Sequence, residues 1–259
     1  MRWFIALTLL GLSAGPAFAL SPEEKAQEII DEGERRAEGF KDMVASAEML
    51  IRNARGHEAR RGLDIKILEV PDGGRSLTVV QAPKDVRGTA LLTFSYDHGE
   101  DEQWLFLPAL KRVKRIAASG RSGPFMGSEF SYEDFSAQSR DKYVYRWLGE
   151  ETLNGLDCHL IERLPKAATQ SGYSRLLTWI EKKELLLQRV HYFDLRNQHI
   201  KTLNVTGYSQ YQNRWWRAES FVMTNLVTGG ASTLTWRDIK FSVGLTERDL
   251  DQNALQAAR

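Results

Sequence analysis

From residue 43 to residue 241 apolar side chains recur at every second position, in short segments broken by turn-forming residues. That alternation restricts the chain to an antiparallel β structure with one buried face. The segments fall near 43–52, 58–70, 75–82, 89–96, 103–107, 111–116, 143–148, 158–164, 173–180, 185–195, 199–208, 215–226 and 231–241. Their separators carry recognisable turn chemistry: Pro71-Asp72-Gly73-Gly74, Asp97-His98-Gly99, Asn154-Gly155, Arg196-Asn197-Gln198, Gln212-Asn213 and Gly229-Gly230. Connections this short join antiparallel neighbours, because a parallel crossover needs a dozen or more residues. A flat sheet of about a dozen strands is unusual. The meander is therefore expected to curl on itself into an incomplete antiparallel β-barrel, a mainly β fold with a little α.

The first residues read differently. Met1-Arg2 gives a positive charge, Trp3 to Leu12 an apolar run, and Ala17-Phe18-Ala19 a small-residue cleavage pattern, together a secretory signal peptide spanning 1–19. The apolar run is about ten residues, far below the roughly 20 of a membrane-crossing helix. The sole cysteine is Cys158, so no cysteine follows the signal to receive a lipid anchor. The expected product is a soluble periplasmic protein of one domain, residues 20–259, held together by an apolar core because one cysteine forms no internal disulfide. Without Arg2, basic and acidic residues balance, which argues against nucleic acid as a partner.

Ser21-Pro22-Glu23-Glu24 combines an N-cap, a proline at the first helical position and a glutamate three residues after the cap. A helix is expected from there, laying Ala26, Ile29, Ile30, Ala37 and Phe40 on something larger, with Gly33 and Gly39 weakening or ending it.

Residues 117–136 interrupt the strand pattern. Gly120, Gly123 and Gly127 make this stretch pliable, yet it carries Phe125, Met126, Phe130, Tyr132 and Phe135, more large apolar groups than a solvated loop holds. It is read as a flap that folds back across the sheet, ends in a short helix and closes an apolar cavity. Trp104 and Phe106 are expected to line that cavity opposite the flap, with Phe94, Trp147 and Trp179 as further lining residues. Tyr96, Tyr192, Trp216, Phe221 and Trp236 are read as core. The basic cluster Lys111, Arg112, Lys114 and Arg115 forms a solvated strand face, meets an anionic headgroup or a partner protein, or does both at once.

No catalytic motif is recognisable: there is no G-x-S-x-G elbow, H-E-x-x-H, phosphate-cradling loop or G-x-G-x-x-G, and the histidines lack metal-ligand spacing. Cys158 and His159 are adjacent on a strand and should point to opposite faces. Of the flap carboxylates, Glu129 and Asp134 are explained by helix capping. No enzyme activity, catalytic residue, metal or cofactor is expected.

Three stretches carry a resemblance over nearly all of residues 20–259: Gln103-Trp104-Leu105-Phe106-Leu107-Pro108-Ala109-Leu110-Lys111-Arg112-Val113, Gly127-Ser128-Glu129-Phe130-Ser131-Tyr132-Glu133-Asp134, and Gly172-Tyr173-Ser174 leading into Trp179. With these the chain resembles the outer-membrane lipoprotein-sorting protein family, in its LolA-like branch found beside predicted exporters of the RND superfamily. The resemblance implies a half-barrel with a helical lid. It also implies a monomeric carrier that takes a lipoprotein acyl chain or a free lipid from an inner-membrane exporter, RND-type or ABC-type, to an outer-membrane acceptor. The alternatives are an envelope scaffold or exporter accessory that carries nothing, and a lipid-modifying enzyme.

Overall fold

The computed structural model describes residues 20–137, 140–167 and 169–258, so the expected signal peptide lies outside the described residues. Helix α1 (Pro22–Ala37) begins with the capping box foreseen, Ser21 Oγ accepting from Glu24 N at 3.2 Å and Glu24 Oε2 from Ser21 N at 2.8 Å. Gly33 sits inside the helix, and the chain leaves it through Glu38 and Gly39, the latter at φ +85°.

Among the described residues thirteen strands follow, each antiparallel to its neighbours: β1 (Asp42–Arg52), β2 (Glu58–Val70), β3 (Gly73–Ala82), β4 (Ala90–Tyr96), β5 (Glu102–Leu107), β6 (Arg112–Ile116), β7 (Tyr143–Leu153), β8 (Leu156–Pro165), β9 (Arg175–Glu181), β10 (Leu187–Phe193), β11 (His199–Tyr211), β12 (Trp215–Asn225) and β13 (Ala231–Phe241). The order is β6-β5-β4-β3-β2-β1-β13-β12-β11-β10-β9-β8-β7. Two meanders are thus joined by the first and last strands, Met43 opposite Phe241 and Met49 opposite Leu234. The sheet stays unclosed, and its free edges are the two strands adjacent to the flap, β6 and β7.

Alternation along each strand sorts the side chains onto two faces. The inner face carries Ala47, Met49, Leu63, Ile65, Val80, Leu91, Tyr145, Ile161, Leu176, Val190, Leu203, Met223 and Leu234, with Phe125 and Phe130 of the flap and Ala26 of α1 packed on them. The outer face of the N-terminal half carries Leu68, Leu77, Val79, Ala90, Leu92 and Trp104. It is covered by Leu250 and by Leu255 of a short helix, α2 (Gln252–Ala257), which the periodicity reading does not anticipate. A third cluster, Phe40, Met43, Trp215 and Phe241, seals the end where α1 enters the sheet.

A lidded apolar cavity as the candidate functional site

Between the inner face and the flap lies a cavity of about 370 Å³. Its walls are Ile65 and Ile67 of β2, Leu176 of β9, Leu187, Val190 and Tyr192 of β10, Leu203 of β11, Phe221 of β12, and Leu234 and Trp236 of β13, with Phe130 and Phe135 as its roof. Ser76, Thr78, Ser95, Asp134, Ser136 and Arg163 add polar atoms to the lining. The volume is at the small end of the range for ligand sites, and a mostly apolar wall with few polar groups suits one slender apolar guest.

The roof is a folded unit. Pro124 and Ser131 form an isolated antiparallel bridge, with Phe125 N donating to Phe130 O at 2.8 Å. The reversal between them runs through Met126 (φ +52°) and Gly127 (φ +76°), consecutive left-handed residues that let Phe125 and Phe130 enter the core together. Phe125 packs on Phe135 with ring centroids 4.4 Å apart and edge-on to Tyr132 at 5.8 Å. Where a short helix was expected, Tyr132–Phe135 makes a 3₁₀ turn with its own capping box, Asp134 Oδ2 accepting from Ser131 N at 2.7 Å and Ser131 Oγ at 2.8 Å. Asp134 Oδ1 is buried without a hydrogen-bond partner, and burial pushes the carboxyl above its ordinary value.

Polar contacts fasten the flap on three sides. Glu129 is the far latch: Asn225 Nδ2 donates to Oε2 at 2.6 Å, Thr228 Oγ1 to Oε1 at 3.1 Å, Lys201 Nζ to the backbone oxygen at 2.8 Å, and Glu129 N donates to Ser232 Oγ at 2.9 Å. Glu133, whose carboxyl burial pushes upward, accepts from Ser171 Oγ at 2.7 Å and Gly172 N at 3.1 Å. Gln103 Nε2 donates to Tyr132 O at 2.8 Å from β5. At the seam between the sheet edges Lys142 pairs with Asp101, and Arg121 Nη1 donates to Asp101 O at 3.0 Å. Both cationic side chains are buried, so these contacts are shielded from water.

Helix α1 closes the other end against β7. Lys25 Nζ stands 3.4 Å from the centre of the Trp147 ring, and Ile29 and Ile30 pack on the inner core. Glu34 faces the Arg140 and Arg163 charges, but desolvation dominates and raises its carboxyl to about 7. Asp31 holds Arg140 at 3.3 Å, tying the helix to the chain that leaves the flap.

The sequence-derived site residues divide. Phe130 and Phe135 line the cavity, while Phe125, Met126 and Tyr132 belong to the flap and pack behind that roof. Trp147 is on the inner face beneath α1. Trp104, Phe106 and Phe94 do not line the cavity. Their strand parity puts them on the outer face with Leu92 and Leu255, where Phe94 and Trp104 meet edge-on at 5.0 Å. Trp179 is likewise outside: Leu176 and Ile180 of β9 take the inner positions, so Trp179 turns to Glu151, donating to Oε2 at 2.8 Å, and packs at a tilt against His191. Lys111, Arg112, Lys114 and Arg115 are all exposed on the edge strand or the turn before it, Arg115 pairing with Glu102 at 2.5 Å. Tyr192, Phe221 and Trp236, read as core, are cavity wall. Cys158 and His159 point to opposite faces, the thiol buried and pushed above its usual value by desolvation and His159 beside Glu150. Among the described residues no three metal-ligating side chains gather.

A family model described as an uncharacterized protein matches residues 72–257. A putative outer membrane lipoprotein-sorting protein domain from Vibrio parahaemolyticus is 42% identical, with a TM-score of 0.87, over 90% of this chain and 99% of that one. A DUF1329 family protein from Desulfovibrio piger is 28% identical with the same TM-score of 0.87, over 91% of this chain and 100% of that one. A LolA superfamily protein from Nitrosomonas europaea shares the fold at 16% identity and TM-score 0.71, over 91% and 100% of the two chains. No curated protein matches the chain.

Proposed function

Since the chain belongs to the outer-membrane lipoprotein-sorting protein family, we propose that it is a periplasmic carrier that encloses one acyl chain, of a lipoprotein or a free lipid, beneath the 117–136 flap. The observation that carries this reading is the apolar cavity, built from both meanders of the sheet and roofed by Phe130 and Phe135. Transfer of an acyl chain out of water supplies about 0.8 kcal/mol per methylene, enough to hold a guest across an aqueous gap. Release needs no covalent chemistry, only displacement of a roof held by its polar latches and by the burial of Phe125 and Phe130. In this reading the protein is not an enzyme: it receives cargo from an inner-membrane exporter, RND-type or ABC-type, and yields it to an outer-membrane acceptor.

The test is direct. Protein purified without detergent and analysed by native mass spectrometry should carry a lipid-sized adduct that organic extraction removes. Phe130→Glu, which places a charge in the roof, should fold and lose the adduct. A folded Phe130→Glu protein with undiminished adduct, or wild-type protein that neither carries nor takes up a fluorescent acyl probe, would sink the carrier reading.

A further inference from the structure

The turn between β12 and β13 has two roles. Asn225 Oδ1 accepts from Val227 N at 2.9 Å and Thr228 N at 3.0 Å, which shapes the turn, while its Nδ2 holds Glu129 of the flap. Between these gripping residues, Leu226 and Val227 are 53% and 74% exposed. Leu226 N donates to Ile200 O at 2.8 Å, so the turn is joined to the β10–β11 hairpin, whose tip shows Leu195 at 75% exposure. On its other side the turn abuts the β1–β2 turn, since a methyl group on Gly229 would lie 3.3 Å from Ala54 Cβ. Exposed Arg196 and Arg55 stand at these two flanking turns.

A single exposed leucine needs no explanation. Three aliphatic side chains at the tips of adjoining turns, bordered by arginines, have the composition of a surface that sits in lipid headgroups. We propose that this end of the molecule docks on an anionic phospholipid bilayer through Leu195, Leu226 and Val227, and that the bilayer favours the open flap. The second part follows from differential contact, because a surface shifts a conformational equilibrium only by binding one state better. With the flap closed, Phe125 and Phe130 are buried in the protein and offer the membrane nothing. Once Glu129 leaves Asn225 and Thr228, the same residues become apolar surface beside the docked turn. The membrane then stabilises the open form at the place where an acyl chain must enter or leave. The proposal rests on the carrier reading for the purpose of opening, though docking itself needs no cargo.

The experiment uses the full protein, cargo extracted, with vesicles of phosphatidylcholine with and without phosphatidylglycerol. Flotation should show binding to the anionic vesicles, weakened roughly ten-fold or more in Leu226→Ser/Val227→Ser. Hydrogen exchange of amides 125–133 should speed up on anionic vesicles in the wild type and stay at its solution rate in the double variant. Both substitutions are at exposed positions, and an unchanged melting temperature with slow flap exchange in solution verifies the fold; Leu195→Ser provides an independent second variant. Equal flotation of wild type and both variants overturns the docking surface, as does a concentration-dependent dimer that the substitutions abolish. Flotation without faster flap exchange overturns the coupling. Uptake of a fluorescent acyl probe without vesicles tests the carrier reading separately, so either idea can fail alone.

Discussion

Cargo length is the quantity the cavity fixes most directly. At about 30 Å³ for a water-sized group, a volume of 370 Å³ holds roughly twelve such groups, and a methylene is of that size. Each methylene taken from water supplies about 0.8 kcal/mol, close to a four-fold gain in affinity. Affinity for a homologous series of straight-chain alcohols should therefore climb about four-fold per carbon and break near twelve carbons, where the chain end must displace the flap or stay wet. The slope is safer than the absolute affinity, because the cost of ordering ligand and protein is nearly common to the series. The assay is displacement of a fluorescent acyl probe by alcohols of about eight to eighteen carbons. Phe130→Ala, which removes part of the roof, should move the break to longer chains and leave the slope below it unchanged. A flat series, or an unbroken slope across the whole range, would refute the assignment of this cavity as the acyl site.

Three further outcomes follow from particular contacts. Glu129→Ala removes the acceptor of the Asn225 and Thr228 bonds, worth about 1.5–3 kcal/mol for the part-buried Asn225 contact and less for the exposed Thr228 one; flap amides should exchange faster and the acyl probe enter faster, while the melting temperature of the sheet barely moves. Trp104→Ala should cost about 3–5 kcal/mol in denaturant unfolding and leave probe affinity unchanged, because Trp104 packs on the outer face with Leu92 and Leu255; a selective loss of binding would restore it to the cavity. Glu34 has a folded value of about 7, above its unfolded one, so the native state holds its proton more tightly and stability falls as pH rises from about 4.5 to 7. Glu34→Gln should flatten that part of the pH–stability curve, by under about 2 kcal/mol after allowance for solvent screening, and an unchanged curve would show that Glu34 does not titrate there.

Architecture was legible in the sequence because period-two alternation and turn residues are local signals. The capping box at Ser21, the strand sequence and the flap all follow from such signals. Which face of each strand turns inward is not local. Trp104 and Phe106 look like cavity residues because they are large and lie near the basic cluster, but both meander faces are apolar in this half: Leu91 and Leu105 face in, Leu92 and Trp104 face out. The second apolar face exists because the C-terminal segment covers it through Leu250 and Leu255. That segment is too short to show a clear helical period. With one face buried, alternation identifies the inner residues; with both buried, it leaves the choice to tertiary packing. The cavity wall in the other half was present in the sequence as Tyr192, Phe221 and Trp236, but a residue lining a cavity and a residue filling a core have the same chemistry.

The unclosed seam is intelligible on the same terms. A barrel completed by pairing β6 with β7 would remove both free edges, but it would fix the two ends of the connecting segment side by side and leave the flap no wider span to cross. Keeping the seam open exposes strand edges that invite association with other chains. The sequence answers this at β6 with a strand of five residues carrying exposed Arg112, Lys114 and Arg115. At β7 it sets a bulge between Trp147 and Gly149, with exposed Arg146 and Glu150 to either side. The basic cluster thus has a structural role on the edge strand whether or not it also meets a headgroup. Replacing Arg112 and Lys114 with threonine should leave the melting temperature nearly unchanged but produce concentration-dependent oligomers in sedimentation velocity. A variant that stays monomeric at all concentrations would show that the seam is protected by the flap alone.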